Sequence, residues 1–174
     1  MHVILIGLGA NLDHPEFGSP IHTLLAAVTE IGKNYPVIRH SSWYSSAPVP
    51  SSDQPWFVNA VISISSDSKL GTTLETLQNI EKKFGRIRRE KWEARVLDLD
   101  LLAFNGEITD NQNQSDGPVV PHPLMQYRAF VLAPIAEIAP EWRHPVSGIS
   151  ALELLKILPE SQEFKILRAG DSSD

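Results

Sequence analysis

The chain has 174 residues, 42% of them hydrophobic and 21% charged, proportions of an ordinary folded domain able to build a core. Fifteen Lys and Arg against twenty-one Asp and Glu leave a formal charge of −6, which argues against a general nucleic-acid or anionic-membrane binder. The absence of cysteine excludes disulfides and a thiol nucleophile, and no apolar run approaches the roughly 20 residues of a membrane span.

Residues 2–9 read as a buried strand without the basic leader or cleavage site of a signal peptide, so a cytoplasmic location is expected. Gly7 and Gly9 imitate the start of a dinucleotide fingerprint, but the third glycine and the ribose-binding acid are missing. They read instead as permitting a tight strand exit. After a turn-rich loop, Ser19 and Pro20 supply an N-cap and a first-turn proline. Ile21, Leu24, Leu25, Val28 and Ile31 then repeat at helical spacing up to Gly32. Residues 37–49 read as a second strand entering a proline-rich loop, and 57–65 as a third. Thr72 and Glu75 have capping-box spacing, opening a helix whose stripe is Leu74, Leu77, Ile80 and Phe84, with Gly85 beyond its end. Strand 96–104 follows a basic loop. Residues 105–118 are polar and expected to be mobile. Residues 127–138 read as a short helix despite Pro134, Ser150 and Glu153 open another, and 171–174 are expected to fray.

The order strand–helix–strand–strand–helix–strand predicts an α+β fold with a ferredoxin-like βαββαβ core. Its sheet is mostly antiparallel, with helices on one face, a free opposite face for a cleft, and extra C-terminal helices. Residues 1–170 are expected to form one domain.

Residues 86–100 carry the chemistry. Five basic residues and Trp92 precede Asp98 and Asp100. Residues two apart on a strand project from one face with Cα atoms roughly 6.6 Å apart. Here the strand is rich in leucine, so two uncompensated carboxylates would be costly, and a divalent cation would relieve them. Hard oxygen donors suit Mg²⁺, especially when substrate phosphates complete its shell, and guanidinium forks suit phosphate oxygens. The competing account is a solvated Asp pair beside exposed charge. Asn59, on a semi-buried strand face, reads as a structural hydrogen-bonder or the reader of a heterocycle edge. Trp92 could pack on the body or stack on a planar ligand. His122, between two prolines, reads as a positioned ligand group or a surface turn. Gln78 and Glu81 share a helical face and could equally be solvated.

Together these pieces resemble the 6-hydroxymethyl-7,8-dihydropterin pyrophosphokinase family. The matching elements are Gly9–Leu12, Gln54–Asn59, Ile80–Glu81 with Gly85–Arg86, and Trp92, Arg95 and Leu97–Asp100. Pro121–Pro123, Arg128, Phe130 and Glu137–Pro140 complete the set. The resemblance implies transfer of pyrophosphate from ATP to a pterin alcohol in folate biosynthesis, by direct displacement at the β-phosphorus. It assigns two Mg²⁺ ions to Asp98 and Asp100, and phosphate contacts to Arg86 and Arg95. It assigns the ATP site to Gln78, Arg88, Leu101, His122 and Arg128. Ser46, Ala47, Val49, Phe57, Asn59, Trp92 and Phe130 would line the pterin site, with the two phenyl rings sandwiching the pterin. Small-molecule substrates, no nucleic acid, no membrane and a monomer are expected.

The chain departs from the family's pattern in places. Glu93 and Ala94 stand where the family has Gly-Pro, and Pro123 follows His122 where some members have an aromatic residue. Ala47 and Phe57 replace a proline and a tyrosine of some relatives. A non-catalytic pterin or nucleotide binder on the same fold is the alternative, but it would not need both aspartates. A two-metal nuclease would need further acids and a basic face.

Overall fold

The computed structural model describes residues 3–85, 94–109 and 118–168. Strand β1 (Ile4–Ala10) leads to helix α1 (Pro20–Gly32). Three strands follow: β2 (Val37–His40), β3 (Tyr44–Ser46) and β4 (Phe57–Ile64). Helix α2 (Leu70–Lys83) and strand β5 (Asp98–Phe104) complete the expected core. Helices α3 (Ala129–Ile138) and α4 (Ala151–Ile157) and strand β6 (Phe164–Ile166) are appended. The sheet runs β5-β1-β4-β3-β6, with β2 also on β4, and every one of these pairings is antiparallel. The expected α+β fold with its βαββαβ core is therefore observed. Among the described residues, no helix is long and apolar enough to cross a membrane.

Strand alternation sorts the side chains. Ile4, Ile6 and Leu8 of β1, Ile62 and Ile64 of β4, and Leu99 and Leu101 of β5 all face α1 and α2. There they meet Leu24, Ala27, Ile31, Leu77 and Ile80 in one core. Fully burying each large aliphatic side chain contributes about 1.5–3 kcal/mol. The opposite face is only partly free. Its apolar end, Leu5, Val61, Leu102 and Ala103, lies under Leu132 and Ile135 of α3 and Ala151 of α4. A register shift between Leu5 and Ile6 turns both Leu102 and Ala103 to this side. The polar end of the same face stays open.

Several elements differ from expectation. The strand read over 37–49 is two strands, because Ser41 enters the ladder with its side chain. Its hydroxyl accepts from Val61 N (3.0 Å) and donates to Ser42 O (2.8 Å). Helix α2 starts two residues before Thr72, so the capping box there is not formed, and Thr73 N bonds Lys69 O at 3.0 Å. The box at Ser150 and Glu153 does form. Ser19 precedes α1 as expected, yet its hydroxyl contacts His22 Nδ1 (3.1 Å) and no backbone donor. Residues 125–127 form a separate 3-10 turn before α3. Strand β6 was not expected: three exposed residues carry no alternation to read. Gly85 lies beyond α2 with φ +76°, the conformation its expected role requires. Most of the polar stretch expected to be mobile, and the tail at 171–174, lie outside the described residues.

Candidate functional site

Three neighbouring strands bring the open face together. In register, Gly9 lies opposite Asn59 on one side and Asp98 on the other, and Gly7 lies between Val61 and Asp100. Directly opposed residues share a face, so these six positions form two rows across the sheet. Phe57 and Leu102 extend the rows, and all eight residues line one cavity. The glycines do not serve a tight strand exit: they sit inside β1 and keep the cavity floor low. Walls come from the proline-rich segment 47–50, from Arg95, and from Arg128, Phe130 and Val131.

One end of the cavity is charged. Asp98 pairs with Arg95 through Oδ2 and Nη1, and its side chain is 17% exposed. Asp100, 34% exposed, has His122 Nε2 4.0 Å from its Oδ2. His122 is held by its backbone N–H on Leu102 O (2.9 Å), and its Nδ1 accepts from Leu124 N (3.2 Å). An accepting Nδ1 leaves the proton of the neutral ring on Nε2, facing Asp100. Burial lowers the His122 pKa, Arg128 lowers it further, and Asp98 pulls it back up. Burial also lowers that of Arg128, against the opposing pull of Asp100 and Asp98. The guanidinium of Arg128 stands 5.8 Å from the Phe130 ring centroid.

The other end is neutral. Asn59 is buried, and its Nδ2 donates to Ser46 Oγ at 2.7 Å. Phe57, Ala47 and Val49 line the cavity around it, and Phe130 lines the wall beyond. An amide with a fixed direction, flanked by apolar surface, can read the polar edge of a planar ring. A carboxylate and guanidinium cluster on the far side of β1 can handle phosphates and a cation.

Not every expected residue joins this cavity. Arg86, Arg88 and Trp92 lie outside the described residues. Gln78 sits half-buried on α2, behind the sheet. The Leu101 side chain is buried in the core under α1 and α2, so it points away from the cavity. Among the described residues, no group of three metal-ligating side chains occurs.

Two supporting residues escaped assignment. Asn11 is buried, donates to Gln54 Oε1 (3.2 Å) and Pro55 O (3.1 Å), and accepts from Arg95 N (2.8 Å). It ties the proline-rich wall to the charged end. Glu81 is 3% exposed, and its Oε1 accepts from Leu99 N at 2.7 Å. It therefore braces β5 between the two aspartates from behind the sheet, and is not on a solvated face. The helical stripe of Leu77, Ile80 and Phe84 was the available signal, since it brings the adjacent position 81 toward the sheet.

Comparisons with known proteins identify relatives of the chain as a whole. The family model for 7,8-dihydro-6-hydroxymethylpterin-pyrophosphokinase matches residues 5–140. A 2-amino-4-hydroxy-6-hydroxymethyldihydropteridine pyrophosphokinase of Synechocystis is 40% identical over 157 residues, 89% of this chain and 75% of the relative. The protein of the same name from Haemophilus influenzae is 35% identical over 161 residues, 92% of this chain and 96% of its own. A crystal structure of Plasmodium falciparum HPPK-DHPS with pteroate superposes with a TM-score of 0.66 at 11% identity, which speaks for the fold alone. It covers 89% of this chain, which spans 44% of that longer one. With a family model covering most of its length and relatives of one name aligned nearly end to end, the chain belongs to the 7,8-dihydro-6-hydroxymethylpterin-pyrophosphokinase family.

Proposed function

We propose that this chain transfers the diphosphate group of ATP to the hydroxyl of 6-hydroxymethyl-7,8-dihydropterin, a step of folate biosynthesis. The observation that carries the reading is one cavity with an amide at one end and two carboxylates at the other, facing each other across strand β1 at Gly9. Asn59 reads the polar edge of the pterin, and Phe57 and Phe130 flank its ring. The ring's hydroxymethyl arm then reaches toward the aspartates.

The donors available there fit magnesium: two carboxylates on one strand face, with room for waters and phosphate oxygens to complete the shell. Asp98 and Asp100 would hold the two ions. Bound there, Mg²⁺ would neutralise phosphate charge and favour the attacking oxygen. Arg95 exchanges its Asp98 partner for phosphate oxygens, and Arg128 and His122 contact ATP. The resemblance adds Arg86, Arg88 and Trp92 to this machinery, and Gln78 and Leu101 to the nucleotide side. The hydroxymethyl oxygen bonds to the β-phosphorus, and the bond from that phosphorus to the α–β bridging oxygen breaks. AMP leaves with that oxygen, and the hydroxyl proton passes to water. No covalent enzyme intermediate is needed, because positioning and charge stabilisation supply the catalysis. The chain acts in this reading as a cytoplasmic monomer on small molecules only.

Incubation with Mg-ATP and the pterin alcohol, followed by chromatography, tests the proposal. AMP and pterin diphosphate should appear one for one and require Mg²⁺. ADP as the main pterin-dependent product would overturn it, and no turnover would favour a binding module.

A further inference from the structure

We infer that Gly9 and Ser46 are positioning residues that hold the Asn59 amide in place at the neutral end of the cavity, and so set how well an acceptor's ring edge can meet it. The inference rests on the proposed function, in that it takes the acceptor ring to bind at Asn59. Its grounds are two independent contacts on opposite sides of one buried side chain. On the β3 side, Ser46 Oγ accepts from Asn59 Nδ2 at 2.7 Å, and Ser46 is itself buried. On the β1 side stands Gly9, directly opposite Asn59 in register. A Cβ built on Gly9 would lie 3.2 Å from Asn59 Oδ1, the one neighbour it would meet within 4 Å.

That distance is closer than ordinary van der Waals contact. The amide oxygen would have to move by a few tenths of an ångström, and its other end is tethered to Ser46. Asn59 has little room to yield, since it is 5% exposed between two strands. Gly9 thus leaves the space that Oδ1 occupies, and Ser46 anchors the amide from the other side. A terminal amide torsion is otherwise broad, so these two neighbours narrow where the amide can sit. The consequence is a fixed place for the amide that meets the ring edge.

The test is a double-mutant cycle read by calorimetry with the pterin alcohol and with Mg-ATP separately. Gly9→Ala and Ser46→Ala should each weaken pterin-alcohol binding about tenfold, the scale of one unmet hydrogen bond in a buried site. ATP binding should stay within about twofold, ordinary additivity error. Made in an Asn59→Ala background, each should cost less than about twofold more, because the amide they position is already gone. The same tenfold loss in that background would overturn the inference, since it would show that they act on something other than Asn59. Unchanged pterin-alcohol binding in both single variants would overturn it as well. If Gly9→Ala lowers the melting temperature enough to prevent measurement, the Ser46→Ala arm carries the same cycle from the other side of the amide. A wild-type chain that binds ATP but no pterin alcohol would instead bring down the proposed function, and this inference with it.

Discussion

Asp98 and Asp100 share a direction because a strand alternates, but their surroundings separate them. Asp98 is the more enclosed and is paired with Arg95, whereas Asp100 is more open and faces His122 at 4.0 Å. Neither replacement by Asn changes size, so Asp98→Asn and Asp100→Asn should fold normally. Each should nevertheless lower diphosphate transfer by ~10²-fold or more, the scale of losing one strong transition-state stabiliser. Near-normal steady-state turnover in both variants would mean that the pair is merely solvated. This was the clearest signal in the sequence, since two carboxylates in a leucine-rich strand ask for compensation. The glycines were misread for the opposite reason: a residue without a side chain announces nothing until its cross-strand neighbours are known.

Elements fit together through buried polar anchors that no local pattern reveals. Glu81 on α2 takes the Leu99 N–H, the one backbone donor of β5 lying between the two aspartates. In Glu81→Gln an amide oxygen can still accept, so stability should change little. Glu81→Ala leaves the donor buried without that acceptor, which costs roughly 1–3 kcal/mol. Urea unfolding of the two variants checks this, and equal stability would show that the contact is dispensable. Helix α3 is similarly held at both ends. Gln162 accepts from Ala129 N at 2.9 Å, and Arg39 donates to Ile138 O at 3.0 Å. Glu137 joins the same helix to the sheet, accepting from Ser42 N and from Tyr44 Oη, both at 2.8 Å. Burial, and then that neighbouring carboxylate, push the Tyr44 pKa well up. Such partners stand tens of residues away along the chain, so helix α3 was readable as a helix and its caps were not.

At the scale of the molecule, one sheet carries a core on each face, so 1–170 should unfold as one cooperative unit. Two histidines, the buried His144 and the half-buried His122, set part of its pH dependence. Burial lowers the pKa of His122 and of His144, so the folded chain binds fewer protons than the unfolded one just below pH ~6.5. Their contribution is fully present above that pH and is lost as the pH falls toward the folded values. Urea midpoints should therefore drop between pH 7.5 and 5.5, with coincident circular-dichroism and tryptophan-fluorescence transitions. The drop should shrink in His144→Gln. A flat profile, or two separated transitions, would contradict the respective claim.

By itself the sequence determined the order of the core elements, the alternation of β5 and the placement of Asp98 and Asp100 on one strand face. Each depends on spacings within about ten residues, where helical and strand periods act directly. The tertiary structure alone decided which half of the second sheet face stays open. That outcome needed α3 and α4 to settle over Leu5, Leu102 and Ala103, and not over Gly7, Gly9 and Asn59. It also decided that Leu101 points into the core, that Asn11 ties Gln54 to Arg95, and that Gly9 stands between an amide and a carboxylate. Strand register and helix docking are long-range choices, made by the free energy of burying apolar surface, and no window of neighbouring residues contains them.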